Sequence, residues 1–568
     1  MPATKHSAAF NTLDWSIGRL LKSRSGNDSE ILELVGALTS RALRQGHICL
    51  DVNRLSSSDL SPDKGLSPSD LIDYLQSHPS VGNKKETTLP LILSDTGKLY
   101  FHRYWHYERQ LIESIEARLT DKPPSTEEAT PHIKKLLSNL GRDQQKAVHL
   151  ATRSQLSLIS GGPGTGKTTT VLYILAALQE THQGIPLKVA LAAPTGKAAQ
   201  RIQESLASSL ESFSSQNENH ADLSPETSTL HRLLGYQRNS IEFQHTRDNP
   251  LPYDVVVVDE ASMLDLLMFN KLMNALRPET RLILLGDSHQ LASVEAGSIF
   301  GDLLIGSRTH SALKEHSIEL TENFRFGNDS ALYQACEYIK TGDNENALRQ
   351  FSHTDQLSIQ DHPGMSRLPA ALEKSVGDHF TGLTQLTDPH LALRSMSEFC
   401  LLTPIRNGPY GVHGLNGTIE SIVRSRLGQP TNQKHFTGLP ILITANSYSQ
   451  GLFNGDLGII MQDSEDSNSL FAYFPDDDQG VKRYPLSALP AFESAYALTV
   501  HKSQGSEYKK ILFLVPPIDS PVLSRELLYT AISRSRETAE VWGDEESLTR
   551  AINQQTQRIS GILDHFSE

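Results

Sequence analysis

Ser160-Gly161-Gly162-Pro163-Gly164-Thr165-Gly166-Lys167-Thr168-Thr169-Thr170 is the stretch whose reading decides the fold of this 568-residue chain. An apolar run, Leu156-Ser157-Leu158-Ile159, comes before it and is short enough for a buried strand. Val171 to Leu178 follow as an unbroken helical pattern. Gly161, Gly166, Lys167 and Thr168 fill the fixed positions of a strand–loop–helix phosphate cradle, which runs through Gly162, Pro163, Gly164 and Thr165 to Thr169. Its glycines let backbone N–H groups face a polyphosphate, and the helix N-terminus adds partial positive charge. Lys167 reaches the outer phosphates, and the Thr168 hydroxyl takes a place on Mg²⁺. A ligand-free glycine turn is the plain alternative, and the strand before and helix after argue against it. The reading is a nucleoside triphosphate site.

Working outward, further apolar runs suit a parallel sheet covered on both faces: Lys188 to Ala192, Val255 to Val258 and Leu282 to Leu285. Ligands of such sheets bind at the carboxyl ends of the strands. There Asp259 can hold Mg²⁺, Glu260 can orient and deprotonate an attacking water, and Gln290 can sense the outermost phosphate. Gln144, on the helix leading into the cradle, has the donor and acceptor that suit an adenine edge. Pro194-Thr195-Gly196 opens a helix whose N–H groups can meet a second polyanion such as a DNA backbone. Glu211 to Ser228 reads as a polar loop, and residues 236–252 as a short hairpin insertion.

Bulk properties narrow the class. Length predicts three to four domains. Net charge is −14, so a uniformly basic surface is excluded, although a narrow channel with locally placed cations is not. The three cysteines, Cys49, Cys336 and Cys400, argue against a disulfide framework and a zinc site. No apolar stretch is long enough to span a bilayer and the start lacks a signal-peptide core, so a cytoplasmic protein without membrane association is expected. Residues 1–120 read as a small α/β unit. In it a helix capped by Ser29 precedes a strand Ile48–Val52, a helix opening at Ser67-Pro68, a hairpin about Asp95-Thr96-Gly97-Lys98 and a helix from Arg103 to Leu119. Nothing there looks catalytic, and it reads as a platform for another protein. Residues 121–135 are a linker by composition.

The ordered set continues with Leu320-Thr321-Glu322-Asn323-Phe324-Arg325, Leu401 to Val412, Thr499-Val500-His501-Lys502-Ser503-Gln504-Gly505-Ser506-Glu507 and Tyr529 to Arg536. In this it resembles the superfamily 1 helicases, and its wording, including Gly46 to Leu50 and Leu99 to Trp105, resembles the exodeoxyribonuclease V alpha subunits over nearly the whole chain. The resemblance implies an α/β fold with two RecA-like parallel-sheet motor domains of the P-loop class. The first would span 136–325; the second, 326–430 and 490–568, would be interrupted by an SH3-like β insertion at 431–489. It implies an ATP-dependent 5′-to-3′ DNA helicase that acts on single-stranded DNA and duplex ends, in a heterotrimer with RecB-like and RecC-like subunits docked through the N-terminal unit. Arg325 and Arg534 would complete the γ-phosphate clamp, and Gly505 and Glu507 would belong to the ATP site. Pro194, Thr195, His231, Thr499 and His501 would grip the strand. A stand-alone helicase and an ATP-dependent switch that moves no strand are the rival readings.

Overall fold

Val255-Val256-Val257-Val258 and Leu282-Ile283-Leu284-Leu285 present apolar side chains to both faces, and the computed structural model places both between two cores. It describes residues 10–25, 30–56, 59–60, 66–120, 137–182, 186–214, 225–237, 240, 242–325, 330–352, 355–428, 434–447, 449–463, 469–476, 480–517 and 522–566, with backbone alone for 208–214 and 352. The predicted linker and the Ser29 cap lie outside those residues.

The first large sheet has six strands, all parallel, in the spatial order Ser317–Leu320, Leu156–Gly161, Arg281–Gly286, Val255–Val258, Val189–Ala193, Glu226–Thr229. Alternate residues serve opposite faces. Leu158, Val256, Val258 and Leu284 join one core, and Ile159, Val255, Val257 and Leu285 the other, beneath the helix Lys167–Thr181. The edge strand Glu226–Thr229 corrects the expected polar loop, as does the helix Gly196–Ser214. Glu-Thr-Ser-Thr is polar because an edge strand is half-solvated, so it carried no apolar signal.

A second parallel sheet has five strands in the order Leu357–Gln360, Ser535–Trp542, Tyr508–Leu514, Phe399–Thr403, Ala497–Thr499. The polar edge strand Leu357–Gln360 likewise carries no apolar run in the sequence. Between its strands the chain builds a five-stranded antiparallel sheet from Leu439–Ile443, Leu457–Gln462, Leu470–Asp476, Gly480–Pro485 and Phe492–Ser494. The insertion therefore runs past residue 489, because the three-residue strand Phe492–Ser494 returns to pair with Leu439–Ile443. Strand pairing there begins at Leu457, after the turn Asn454-Gly455-Asp456 with Gly455 at φ +105°. In 236–252 the described residues show one isolated bridge, Tyr236 to Phe243, rather than a paired hairpin.

The N-terminal unit forms a four-stranded sheet in the order Leu50–Asp51, Lys98–Phe101, Leu91–Leu93, Val81–Gly82. Its first strand is shorter than expected because Asp51 caps the 3₁₀ turn Val52–Arg54, while the Ile48 N–H donates to the Ile559 carbonyl at 2.8 Å. Ser67 caps the helix Pro68–Ser77 through a capping box, as its sequence predicts. The long helix His102–Thr120 lies against the first large sheet. There Arg118 is buried, donating to the carbonyls of Thr280 at 2.6 Å and Arg277 at 2.9 Å. No helix among the described residues is long and apolar enough to cross a membrane.

Glu108, on the same helix, accepts from Tyr100 Oη at 3.0 Å and from the Gly561 N–H at 3.0 Å, with 2% of its surface exposed. Burial pushes its carboxyl up from 4.5 to about 7, more than these hydrogen bonds and Lys98 pull it back. The folded state therefore holds this proton more tightly than the unfolded chain. The stability so gained is complete below about pH 4.5 and is lost as pH rises through about 7. A shift of this size corresponds to something on the order of 3 kcal/mol. Glu108→Gln is expected to flatten the fall in unfolding midpoint between about pH 5 and about pH 8, read by thermal denaturation of both proteins across that range. An unchanged slope would take the effect away from Glu108.

Candidate nucleotide site between two parallel sheets

The strand Leu156–Gly161 delivers its chain into the phosphate loop, and two glycines there take conformations that other residues resist: Gly164 at φ +83° and Gly166 at φ +74°. A Cβ on Gly164 would lie 2.6 Å from Arg325 Cβ, and one on Gly166 2.5 Å from Gln144 Nε2. The loop encloses part of a cavity of about 410 Å³ lined by Gly162 to Thr169, Asp259, Glu260, Gln290 and Phe324, together with Arg201, Arg325, Gly505, Glu507 and Arg534. Lys167 Nζ donates across the loop to the carbonyls of Gly161 at 2.6 Å and Gly162 at 3.3 Å, so its cation lies over the cradle.

Glu260 is the one non-glycine residue among those described with positive φ, at +52°. Left-handed backbone at such a residue costs of order 1–3 kcal/mol and persists where the surroundings fix it. Here it turns the carboxylate into the cavity directly after Val258 and Asp259, and Asp259 Oδ1 accepts the Glu260 N–H at 2.8 Å. Burial raises the Glu260 pKa and Asp259 raises it further, opposed by Arg534, Lys167 and Arg201. At the next strand end, Asp287 Oδ2 accepts from Gln290 Nε2 at 3.2 Å and from Tyr529 Oη of the second sheet's helix at 2.8 Å. Gln290 is buried, and its Oε1 has no partner among the described residues. It is thus oriented by Asp287 and keeps a free acceptor.

The second sheet supplies Arg534, 2% exposed although it carries a full charge, with Nε donating to the Thr530 carbonyl at 3.3 Å and Nη1 to the Ser506 carbonyl at 3.4 Å. Glu507 meets three guanidinium groups. Arg201 and Arg325 (2.7 Å) share its Oε1, and Arg536 Nε reaches Oε2 at 2.9 Å. Burial alone would raise this carboxyl; Arg201 and Arg325 outweigh it and bring it down to about 2. Arg201 and Arg325 come from the first sheet's connections and Glu507 from the second's, so the cluster bridges the two. Arg201 has no signal in the sequence beyond being one arginine on a polar helix face; it is placed by contact with a residue 306 positions away.

The structure therefore brings together Lys167, Thr168, Asp259, Glu260, Gln290, Arg325, Gly505, Glu507 and Arg534. Gln144 is placed otherwise: it is buried behind the loop, accepting from the Gly141 N–H at 3.2 Å and donating to the Gly166 carbonyl at 3.4 Å, and does not line the cavity. Its amide braces the cradle. The five residues expected to grip a strand also lie outside the cavity lining. Pro194 precedes Thr195, whose hydroxyl accepts the Ala198 N–H at 3.3 Å; the Thr499 hydroxyl caps the turn Val500–Ser503. His231 meets the Phe243 ring edge-on at 5.8 Å, and burial lowers the pKa of His501.

The donor set fits a magnesium-bound triphosphate. A lysine cation lies over a glycine cradle that side chains would fill, and two arginines and an acceptor without a partner converge beside it. Thr168 and Asp259 line the same wall, in the combination of hydroxyl and carboxylate that takes Mg²⁺.

Residues 144–296 match the family described as AAA domain, 494–541 the UvrD-like helicase C-terminal domain, and 6–100 the N-terminal domain of RecBCD enzyme subunit RecD. The chain is 35% identical to RecBCD enzyme subunit RecD of Mycolicibacterium smegmatis over 539 residues, covering 94% of this chain and 93% of that protein. The Haemophilus influenzae subunit of the same name is 34% identical, with 82% and 80% covered. The ATP-dependent RecD2 DNA helicase of Deinococcus radiodurans is 28% identical, with 80% of this chain and 57% of that longer protein covered. Similarity of this extent, running through the N-terminal unit and both parallel sheets, makes the chain a member of the RecBCD enzyme subunit RecD family.

Proposed function

We propose that this chain is an ATP-dependent DNA helicase, the alpha subunit of a heterotrimer with RecB-like and RecC-like partners that processes double-strand DNA ends. The observation that carries the reading is that Lys167 of one parallel sheet and Arg534 of the other line a single cavity with Glu260. Cations from both sheets on one triphosphate make its hydrolysis a change in how the sheets attract each other, which a motor needs and a one-sheet switch does not.

In this reading the two sheets belong to RecA-like motor domains and the antiparallel insertion is an SH3-like module beside the strand. The loop amides and Lys167 hold the phosphates, and Thr168 and Asp259 would hold Mg²⁺, which supplies charge neutralisation at the phosphates. Glu260 accepts the proton of the attacking water. Gln290 orients that water through its free Oε1, and Arg325 and Arg534 stabilise charge on the transferring group. Phe324, 58% exposed at the rim, offers the base an apolar face. Pro194, Thr195 and His231 on one side, and Thr499 and His501 on the other, would grip the strand. The N-terminal unit would dock a partner subunit through the helix Thr12–Arg24, where Leu13 (60%) and Leu20 (54%) are exposed seven residues apart on one face. The place of action is the cytoplasm, and movement is 5′ to 3′.

The test is turnover of ATP by the full chain with and without single-stranded DNA, and strand displacement on duplexes with a 5′ or a 3′ overhang. Stimulated turnover and displacement from the 5′ overhang are expected. Absence of stimulation, alone and with partner subunits, would favour the switch, and displacement from the 3′ overhang would reverse the polarity.

A further inference from the structure

Residues 554–566 leave the second sheet and reach the core of the first. After the helix Glu545–Asn553 a strap with no regular structure, 554–561, crosses to the N-terminal unit and ends in the short helix Ile562–His565. There Ile562 and Phe566 are buried in the same core as Ile48, Tyr100 and Ile299. In the opposite direction Leu291, on the loop after the first sheet's strand Arg281–Gly286, is buried in the core of the second sheet. Its N–H donates to Thr530 Oγ1 at 3.0 Å, and its carbonyl accepts from Gln504 Nε2 at 2.9 Å. Each body thus holds an apolar plug from the other.

The loop carrying Leu291 begins in the nucleotide cavity, at Gln290, and ends where three parts of the chain meet. Arg558 Nη1, on the strap, donates to the carbonyls of Glu295 and Gly297 (3.2 Å) and approaches Ser293 Oγ at 3.5 Å. The Gly297 N–H donates to the Gly46 carbonyl at 2.9 Å, and next to it the Ile48 N–H donates to Ile559. Packing leaves no slack. A Cβ on Gly46 would fall 2.8 Å from Arg558 Cζ, and one on Gly297 3.1 Å from the Ile48 side chain, and both glycines have positive φ. Backbone and guanidinium groups pinned in this way are displaced as a unit, because close-packed contacts are bistable rather than continuously deformable.

We propose that residues 290–297 are a relay that carries the occupancy of the nucleotide cavity to the N-terminal sheet, with Arg558 as the positioning residue that fixes its far end. The near end is moved by whatever engages Gln290, the far end displaces Gly46 to Ile48, and Arg558 makes the two ends one body. This rests on the nucleotide reading of the cavity. It adds that the N-terminal unit, and any partner seated on it, is coupled to nucleotide state; binding there biases the cavity in return, since coupling is reciprocal.

Hydrogen exchange on the full-length chain, with and without a non-hydrolysable ATP analogue and Mg²⁺, reads the relay without requiring activity. In the wild type the analogue is expected to slow exchange at 160–170 and to alter it at both 290–297 and 46–52. In Arg558→Ala the change at 160–170 persists and that at 46–52 is lost. Arg558→Lys, whose ammonium can donate to the same carbonyls, restores it, and Gly46→Ala abolishes it with the arginine in place. Should Arg558→Ala not fold, Arg558→Met, which keeps an unbranched stem and has no donor, carries the comparison. A change at 46–52 that survives in Arg558→Ala, or a wild type that responds at 160–170 and not at 46–52, overturns the relay. A wild type that responds nowhere removes the nucleotide reading and the relay with it.

Discussion

Arg534→Ala is expected to lower DNA-stimulated ATP turnover by roughly 10³-fold or more while changing nucleotide affinity little, the size of effect found when an arginine facing a transferring phosphoryl group is removed. The expectation comes from where the side chain is held. A guanidinium 2% exposed and fastened by carbonyl oxygens of Thr530 and Ser506 has no carboxylate among the described residues as a direct partner, although Glu260 faces it across the cavity. Burying a cation this way is costly unless an anion arrives to meet it. On the proposed reading a bound triphosphate would be that anion, meeting Arg534 most strongly when charge moves outward in the transition state. Arg534→Lys should recover only a small part, because a point charge cannot fork onto two oxygens from the same position. Single-turnover hydrolysis with saturating nucleotide separates the chemical step from binding. A thermal unfolding midpoint close to wild type shows that the loss is not one of folding. Turnover within about threefold of wild type would place Arg534 outside the reaction and leave the first sheet to act alone.

How far the sequence discloses this site depends on the range of the interactions that build it. The phosphate cradle is legible because its chemistry is local: eight consecutive residues, Gly161 to Thr168, set the glycine conformations, the lysine and the hydroxyl by spacing alone. Central strands are legible for a similar reason, since burial on both faces forces runs such as Val255–Val258. The edge strands Glu226–Thr229 and Leu357–Gln360 are not, because a half-solvated strand needs no apolar run. Gln144 shows another limit. A glutamine with two faces suits a purine edge and a loop carbonyl equally well, and only the fold decides that Gly141 and Gly166 use it. The Arg201–Glu507 pair and the Arg558 clamp are invisible before folding, since each joins residues more than 250 positions apart and neither end is unusual on its own helix or strap.

Glu260→Gln is expected to bind ATP at least as tightly as wild type and to turn it over about 10²–10⁴-fold more slowly, the range for loss of a positioned general base. The substitution keeps size and shape, so the strained backbone at φ +52° and the Asp259 hydrogen bond to the residue 260 N–H have no reason to change. What it removes is the carboxylate that follows Asp259 at the strand end and faces Lys167, Arg201 and Arg534. Removing a negative charge from among three cations should, if anything, tighten the hold on a triphosphate, so affinity and turnover ought to move in opposite directions. That opposition distinguishes a base from a residue that merely shapes the cavity, because distortion of the cradle would weaken binding and chemistry together. Equilibrium binding of a fluorescent nucleotide, set beside steady-state turnover of the same preparation, gives both quantities. Wild-type turnover in Glu260→Gln would hand the proton to another acceptor, whereas weakened binding with proportionately slowed turnover would make Glu260 a structural element of the strand end.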